Sequence, residues 1–230
     1  MLTRVLENES MDTLQEALEY DGMAHDEVNR QFVDDLLVPE PLAGEVLDLG
    51  TGTARIPIEL CRRAPGVRVL AVDLSASMLI VARNNVELAG ATRNILLDRV
   101  DAKRLPYEDG RFAAVLSNSI VHHIARPEAM LAEAVRVVAP GGLLFLRDLL
   151  RPADEQTLRQ LVGTYAGGET DAAQQMFASS LRAALTLHEW RNLTGELGFP
   201  DDAVRQTSDR HVTWMARKGA TGSAEKMSAP

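Results

Sequence analysis

Residues 48–55, Asp-Leu-Gly-Thr-Gly-Thr-Ala-Arg, put a carboxylate, two glycines and a guanidinium on one short stretch of chain. An apolar run at 46–49 leads into it, and the 53–64 pattern that leaves it is helical. Gly50 and Gly52 allow backbone angles and a close approach that a Cβ forbids. Such a turn, at the carboxyl end of a buried strand, can receive a ligand. A tight strand-to-helix turn with no ligand would use the same residues. One ligand class is opposed and another excluded. A dinucleotide fingerprint needs a third glycine where Arg55 stands. A P-loop needs Gly-Lys-Ser/Thr, and the lysines are Lys103, Lys218 and Lys226.

Two further carboxylates stand at strand ends. Asp73 closes Val69-Leu-Ala-Val-Asp, where a carboxylate can accept from both hydroxyls of a ribose. It could equally cap the next helix, although Ser75 is available for that role. Asp101 ends the weaker strand Arg99-Val-Asp. Both would face one crevice.

The elements that must position these groups follow from the hydrophobic pattern. Short apolar runs at 46–49, 67–72, 94–100, 112–117 and 143–147 read as strands. Helical stretches at 53–64, 75–89 and 128–138 separate them, the last ended by Pro140-Gly-Gly. This alternation predicts an α/β fold with a doubly wound, mainly parallel sheet. Residues 153–197 read as helical, interrupted at Gly163, Gly167 and Gly168, and segments 203–207 and 211–216 read as an antiparallel hairpin. The N-terminal segment, 1–41, predicts two helices. One carries the stripe Met11, Leu14, Ala17, Leu18, capped by Ser10 or Asp12. The other carries Val28, Phe32, Val33, Leu36 and Leu37, and stops at Pro39 and Pro41. The main domain is expected over 42–217, with 218–230 a flexible tail poor in residues to bury.

Composition narrows the function classes. The 230 residues are 46% hydrophobic and 25% charged, with formal charge −9, an ordinary globular balance. Residues 1–40 hold 11 acidic groups against Arg4 and Arg30, so that segment carries the whole excess and the rest is neutral. No basic footprint for a phosphate backbone is present. The sequence has no apolar run of about 18 residues, and its first residues lack the apolar core of a signal peptide. Cys61 alone cannot form an intrachain disulfide, so a reducing compartment, the cytoplasm, is expected. His25, His188 and His211 are scattered, no metal-ligand spacing is visible, and no metal is expected.

Five ordered matches make the chain resemble the class I S-adenosylmethionine-dependent methyltransferases. They are Asp48-Leu-Gly-Thr-Gly-Thr-Ala54, Asp73, Asp101-Ala102, Ser117-Asn-Ser-Ile-Val-His-His-Ile124 and Pro140-Gly-Gly142. The resemblance spans about 45–148, and Ala54 stands where the family has its third glycine. It implies a seven-stranded Rossmann-like sheet with an antiparallel last strand, and S-adenosylmethionine as cofactor. Asp48, Gly50, Thr51, Gly52 and Arg55 would lie near its methionine part, with Asn118 at the amino-acid end. Asp73 would take the ribose, Leu74 and Met78 would flank the adenine, and Asp101 with Ala102 would meet the adenine amino group. Met78 could instead be core at helical spacing from Ala82.

The resemblance also implies where an acceptor binds: His122 and His123 after the fourth strand, and Arg147 and Asp148 at the end of the fifth. Adjacent histidines on a helix point about 100° apart, so at most one would face the methyl group. Either could be structural, and Arg147 and Asp148 could merely hold a local ion pair with Arg151. The helices of 153–197 and the N-terminal segment would form a lid, with Tyr20, Met23 or His25 turned inward. The segment Ser117-Asn-Ser-Ile lacks the prolines of nucleobase-amine methyltransferases, so a small-molecule acceptor is expected. A cofactor-binding regulatory module that transfers nothing is the alternative. Oligomeric state is left open between monomer and homodimer.

Overall fold

The computed structural model describes residues 2–7, 13–23, 26–38, 42–219 and 224–225. Helices α1 (Leu14–Asp21) and α2 (Asp26–Leu37) come first. Then follow β1 (Glu45–Leu49), α3 (Arg55–Arg63), β2 (Arg68–Asp73), α4 (Ala76–Leu88), β3 (Ile95–Arg99), β4 (Phe112–Asn118), α5 (Glu128–Val137) and β5 (Val138–Leu149). Helices α6 (Glu155–Ala166), α7 (Asp171–Ala183) and α8 (Leu187–Glu196) precede β6 (Val204–Gln206), β7 (His211–Lys218) and β8 (Ala224–Glu225). Sheet order is β3-β2-β1-β4-β5-β7-β6. Strands β1 to β5 pair in parallel, and β7 lies antiparallel between β5 and β6. The expected doubly wound sheet with an antiparallel last strand is present. Inside the expected tail, β8 pairs with β7; residues 220–223 and 226–230 lie outside the described residues.

Alternation along the strands divides the core into two layers. Val46, Ala71, Ala114, Leu116, Leu143 and Phe145 pack beneath α2, α3 and α4. Leu47, Leu49, Leu70, Val72, Val115 and Leu146 pack on the other face, with α5, Trp190 of α8 and Trp214 of β7. Both tryptophans are fully buried. Chain order reverses between β1 and β4, so the crevice at this switch point lies over the glycine turn.

Several local expectations change. Thr13 caps α1 through a reciprocal capping box with Glu16; Ser10, Met11, Asp12, Pro39 and Pro41 lie outside the described residues. Gly163 sits inside α6 and does not break it. Pro140-Gly-Gly lies within β5, where the pairing with β4 shifts register between Phe112 and Ala114. A Cβ on Gly142 would come 2.9 Å from the Ala113 carbonyl oxygen, so the bulge needs glycine there. Phe32, Val33 and Leu36 are fully buried, which makes α2 a layer of the domain, while its Asp26 and Asn29 border the crevice together with α1. Among the described residues no helix is long and apolar enough to cross a membrane.

Helices α6 and α7 form a satellite core on the end of β5 through Leu149, Leu158, Leu161, Ala178, Leu181 and Ala184. The first residues run along it. Leu2 packs on this cluster, and Val5 N–H donates to the Arg182 carbonyl at 3.2 Å.

Candidate active site

The turn after β1 is left-handed at three positions: Gly50 (φ +68°), Gly52 (φ +55°) and Ala54 (φ +62°). A Cβ on Gly50 would fall 2.1 Å from Ile120 Cγ2, so the turn is pressed against the segment after β4. Thr51 N–H donates to the Val72 carbonyl at 2.9 Å, tying the turn to β2. Asp73 accepts from Gly52 N–H at 2.8 Å and from Ser75 N–H at 2.8 Å. Ser75 is the side-chain cap of α4, which frees Asp73 of that task. Each Asp73 oxygen has a second lone pair for a diol. Burial raises the Asp73 carboxyl above its ordinary range, against the pull of the backbone donors. Asp48, 3% exposed, is pushed by burial up to about 7.

Helix α1 lies across this turn. Tyr20 Cε1 sits 3.7 Å from where a Gly52 Cβ would be, and burial followed by the Asp73 carboxylate raises its phenol. Asp21 accepts from Arg55 Nε at 2.9 Å and Nη2 at 2.6 Å, and from Asn85 Nδ2 at 2.9 Å. Asn85 also donates to the Thr53 carbonyl, so one amide joins α1, the turn and α4. The cleft between them is lined by Tyr20, Met23, Asp48, Gly50, Arg55 and Asn118. Arg55 borders the cleft with its guanidinium committed to Asp21. Met78 packs with Ala17, Val81 and Tyr20, the core arrangement rather than a free ring contact. Leu74 offers its carbonyl to Arg99 Nε. Asp101 accepts from Lys103 N–H at 2.9 Å and faces the Lys103 ammonium at 3.2 Å; Ala102 packs at the margin of the core. His25 lies outside the described residues. Asp21 and Asn85 escaped the sequence reading, and nothing in their spacing marks them as a clasp.

The carboxyl ends of β4 and β5 hold a second cluster. His122 and His123 occupy a 3-10 turn, Val121–His123, rather than an α-helix. Their rings stack at 4.2 Å, and both face Glu7: His122 Nε2 lies 3.4 Å and His123 Nδ1 3.2 Å from Glu7 Oε1. The helix assumed for the two histidines is therefore corrected to a 3-10 turn, which lets both rings approach one carboxylate. On its other side His122 Nδ1 meets Asp148 Oδ1 at 2.5 Å, and Asp148 Oδ2 accepts from Val121 N–H at 2.6 Å. Burial opposes charge on both partners, yet Asp148 and then Glu7 hold the His122 pKa up. His122 in turn holds Asp148 low. Burial raises Glu7.

Arg147 is not part of this cluster. Successive strand residues point to opposite faces, and Arg147 turns toward α2, where Nη2 donates to Asp35 at 2.6 Å and Nε to Thr213 Oγ1 at 2.9 Å. Its partner is not Asp148, and Arg151 pairs with Glu189. Strand alternation alone could have separated 147 from 148. Glu7, by contrast, had no signal in the sequence.

Comparison with known proteins agrees with this geometry. A family model described as a methyltransferase domain matches residues 46–142. A demethylmenaquinone methyltransferase from Thermus thermophilus is 37% identical over 123 residues, 54% of each chain. The chain thus spans about half the length of that relative. One of the same name from Mycobacterium tuberculosis is 32% identical over 174 residues, covering 66% of this chain and 70% of its own. A candidate S-adenosyl-L-methionine-dependent methyltransferase from Methanococcus maripaludis superposes with TM-score 0.71 at 15% identity, covering 94% and 97% of the two chains. With the glycine turn, Asp73 and the strand order in place, the chain belongs to the class I S-adenosylmethionine-dependent methyltransferases, and S-adenosylmethionine is its cofactor.

Proposed function

We propose that this protein transfers the methyl group of S-adenosylmethionine to a small-molecule acceptor. The observation that carries this is the Gly50–Gly52 turn fixed on the Asp73 carboxylate, with an acid–base cluster one and two strands away at the ends of β4 and β5. The residues fit the cofactor: the cleft beside the turn is lined by Asp48, Gly50 and Asn118, and Asp73 keeps lone pairs for a ribose diol. When bound, the cofactor supplies a methyl group on a sulfonium, already activated for in-line displacement.

The chain's own work is alignment, exclusion of water and proton handling. Gly50, Thr51, Gly52 and Asp48 line the methionine end, with Asn118 across from them. Leu74, Asp101 and Ala102 border the adenine end. Tyr20 and Asp21 of α1 close the cleft and keep water out. His122, His123 and Asp148 border the acceptor, with Glu7 added to them. Arg147 serves through its hold on α2. The relatives named for demethylmenaquinone make quinols one class to test, although the helices 155–196 that would shape an acceptor pocket are outside the matched family segment. The acidic balance favours a small acceptor over nucleic acid, and the buried Cys61 suits a reducing compartment.

Calorimetric titration tests the cofactor step. Asp73→Ala should weaken S-adenosylmethionine binding by about 1.5–3 kcal/mol, as for lost hydrogen bonds to a charged acceptor. An unchanged affinity would show that Asp73 only braces the turn. Asp21→Ala releases Arg55 and Asn85 together, so cofactor affinity should fall several-fold while the folded signal persists. If affinity holds, α1 is not a lid. A screen with labelled methyl donor over phenols, quinols, amines, thiols and acids separates an enzyme from a cofactor-binding module.

A further inference from the structure

We propose that Glu7, His122 and His123 form a binding site for one divalent first-row transition-metal ion. Their donor atoms lie within 4.8 Å of one another, although the residues come from the first turnless segment of the chain and from a loop more than a hundred residues later. The separations of Glu7 Oε1 from the two imidazole nitrogens are 3.4 and 3.2 Å. Those are long for charge-assisted N–H···O bonds, which run to about 2.7–2.9 Å. They match the edge of a tetrahedron whose metal–ligand bonds are about 2.0–2.1 Å, which is about 3.3–3.4 Å. The third pair of donors, the two imidazole nitrogens, also lies within 4.8 Å.

The donor set favours the ion named. Two imidazoles and one carboxylate suit zinc or ferrous iron, whereas magnesium and calcium prefer all-oxygen shells. Outer groups already hold these donors in place. Asp148 takes the Nδ1 side of His122, which directs Nε2 toward Glu7, the carboxylate–histidine arrangement typical of metal sites. Ser180 Oγ donates to Glu7 Oε1 at 3.0 Å. Arg4 donates to the carbonyls of Ala183 and Ile124, fixing the segment that carries Glu7 against the turn that carries the histidines. Buried His122 anchors the inner side, and Glu7 and His123, partly exposed, leave the ion a way in.

Three protein donors leave at least one coordination position open. The two histidines follow β4 and stand beside the end of β5, the side where the proposed reaction has its acceptor. If that reaction holds, an acceptor hydroxyl or thiol would bind the ion there and lose its proton to solvent more readily. The resulting anion would form the new bond to the methyl carbon as the carbon–sulfur bond breaks, leaving a neutral thioether. This use rests on the methyltransferase reading; the metal site itself does not.

The test is titration of the chelator-stripped full-length protein with Co(II), followed by visible absorption, with Zn(II) and Fe(II) competition and metal stoichiometry by mass spectrometry. One ion per chain with tetrahedral Co(II) bands, displaced by Zn(II), is expected; displacement by Fe(II) alone would assign iron. Glu7→Gln and His123→Ala should each weaken binding at least 100-fold with the circular dichroism unchanged. Asp148→Asn should weaken it about 10–100-fold, the usual cost of losing an outer carboxylate. No saturable binding by the folded protein, or binding indifferent to both Glu7→Gln and His123→Ala, overturns the site. Calorimetry with S-adenosylmethionine on the same sample keeps the two readings apart. Cofactor binding without metal binding defeats this proposal alone; metal binding without cofactor binding defeats the functional one alone.

Discussion

Gly50→Ala is expected to lower folding stability by about 2–5 kcal/mol and to abolish cofactor binding. Two costs add. A side chain at φ +68° bears about 1–2 kcal/mol of left-handed strain. The new Cβ would also fall 2.1 Å from Ile120 Cγ2, inside a packed loop, and overpacking of this kind costs about 1–3 kcal/mol. Gly52→Ala separates the two. Its φ of +55° carries similar strain, but the nearest atom to its Cβ is Tyr20 Cε1 at 3.7 Å, an ordinary contact. It should therefore lose only about 1–2 kcal/mol. Urea denaturation of both variants, of Ile120→Ala and of Gly50→Ala combined with Ile120→Ala, measures the clash as a coupling energy. Relative to Ile120→Ala, the double variant should lose only the strain. Equal, small losses in both single variants would mean that the Ile120 segment yields and the turn is not pressed against it.

Asp48→Asn should make the protein more stable at pH 8 and a poorer binder of its cofactor. Burial holds the native Asp48 pKa at about 7, well above the ordinary aspartate value near 3.8. Below pH about 4 the carboxyl is protonated in both states and costs nothing. As pH rises from about 4 to 7 the unfolded chain ionises first, so the native state binds more protons and stability falls. Above pH 7 the full penalty stands. Three pKa units correspond to about 4 kcal/mol, and an amide avoids most of it, so a gain of about 2–4 kcal/mol at pH 8 should shrink toward zero near pH 4. Binding moves the opposite way. With the methionine end of S-adenosylmethionine at Asp48, as proposed, its ammonium would favour the ionised carboxylate, so wild-type affinity should fall as pH drops below 7, while the asparagine variant should bind weakly and without that slope. A variant no more stable than wild type at pH 8 would show that Asp48 carries its charge at no cost in the native fold.

This conflict at Asp48 explains why the sequence is informative there. A buried acid at a strand end costs stability, so its presence beside Gly-x-Gly points to a ligand and not to packing. The same holds for Asp73, whose capping role Ser75 performs. Strands β1, β2, β4 and β5 were legible because parallel strands buried on both faces read as unbroken apolar runs, whereas the edge strand β3, mostly exposed, reads more weakly. Boundaries shifted where glycine or proline had to be judged without its neighbours. Gly163 is tolerated within α6, and Pro140-Gly-Gly forms a bulge in β5 rather than a turn before it.

The local pattern of this chain determined the order of its elements, the sheet they build and the turn where the cofactor belongs. Each of these depends on residues close in sequence: a strand's apolar run, a glycine pair, a cap. Only the tertiary structure decided which charged groups meet. Asp21 of α1 closes on Arg55 and Asn85, Arg147 leaves Asp148 for Asp35, and Glu7 reaches two histidines that a 3-10 turn aims at one point. Such pairings depend on how layers stack and how a terminal segment threads over them. Side-chain hydrogen bonds of 2.5–3.5 Å are decided by fractions of an ångström that no spacing along the chain encodes.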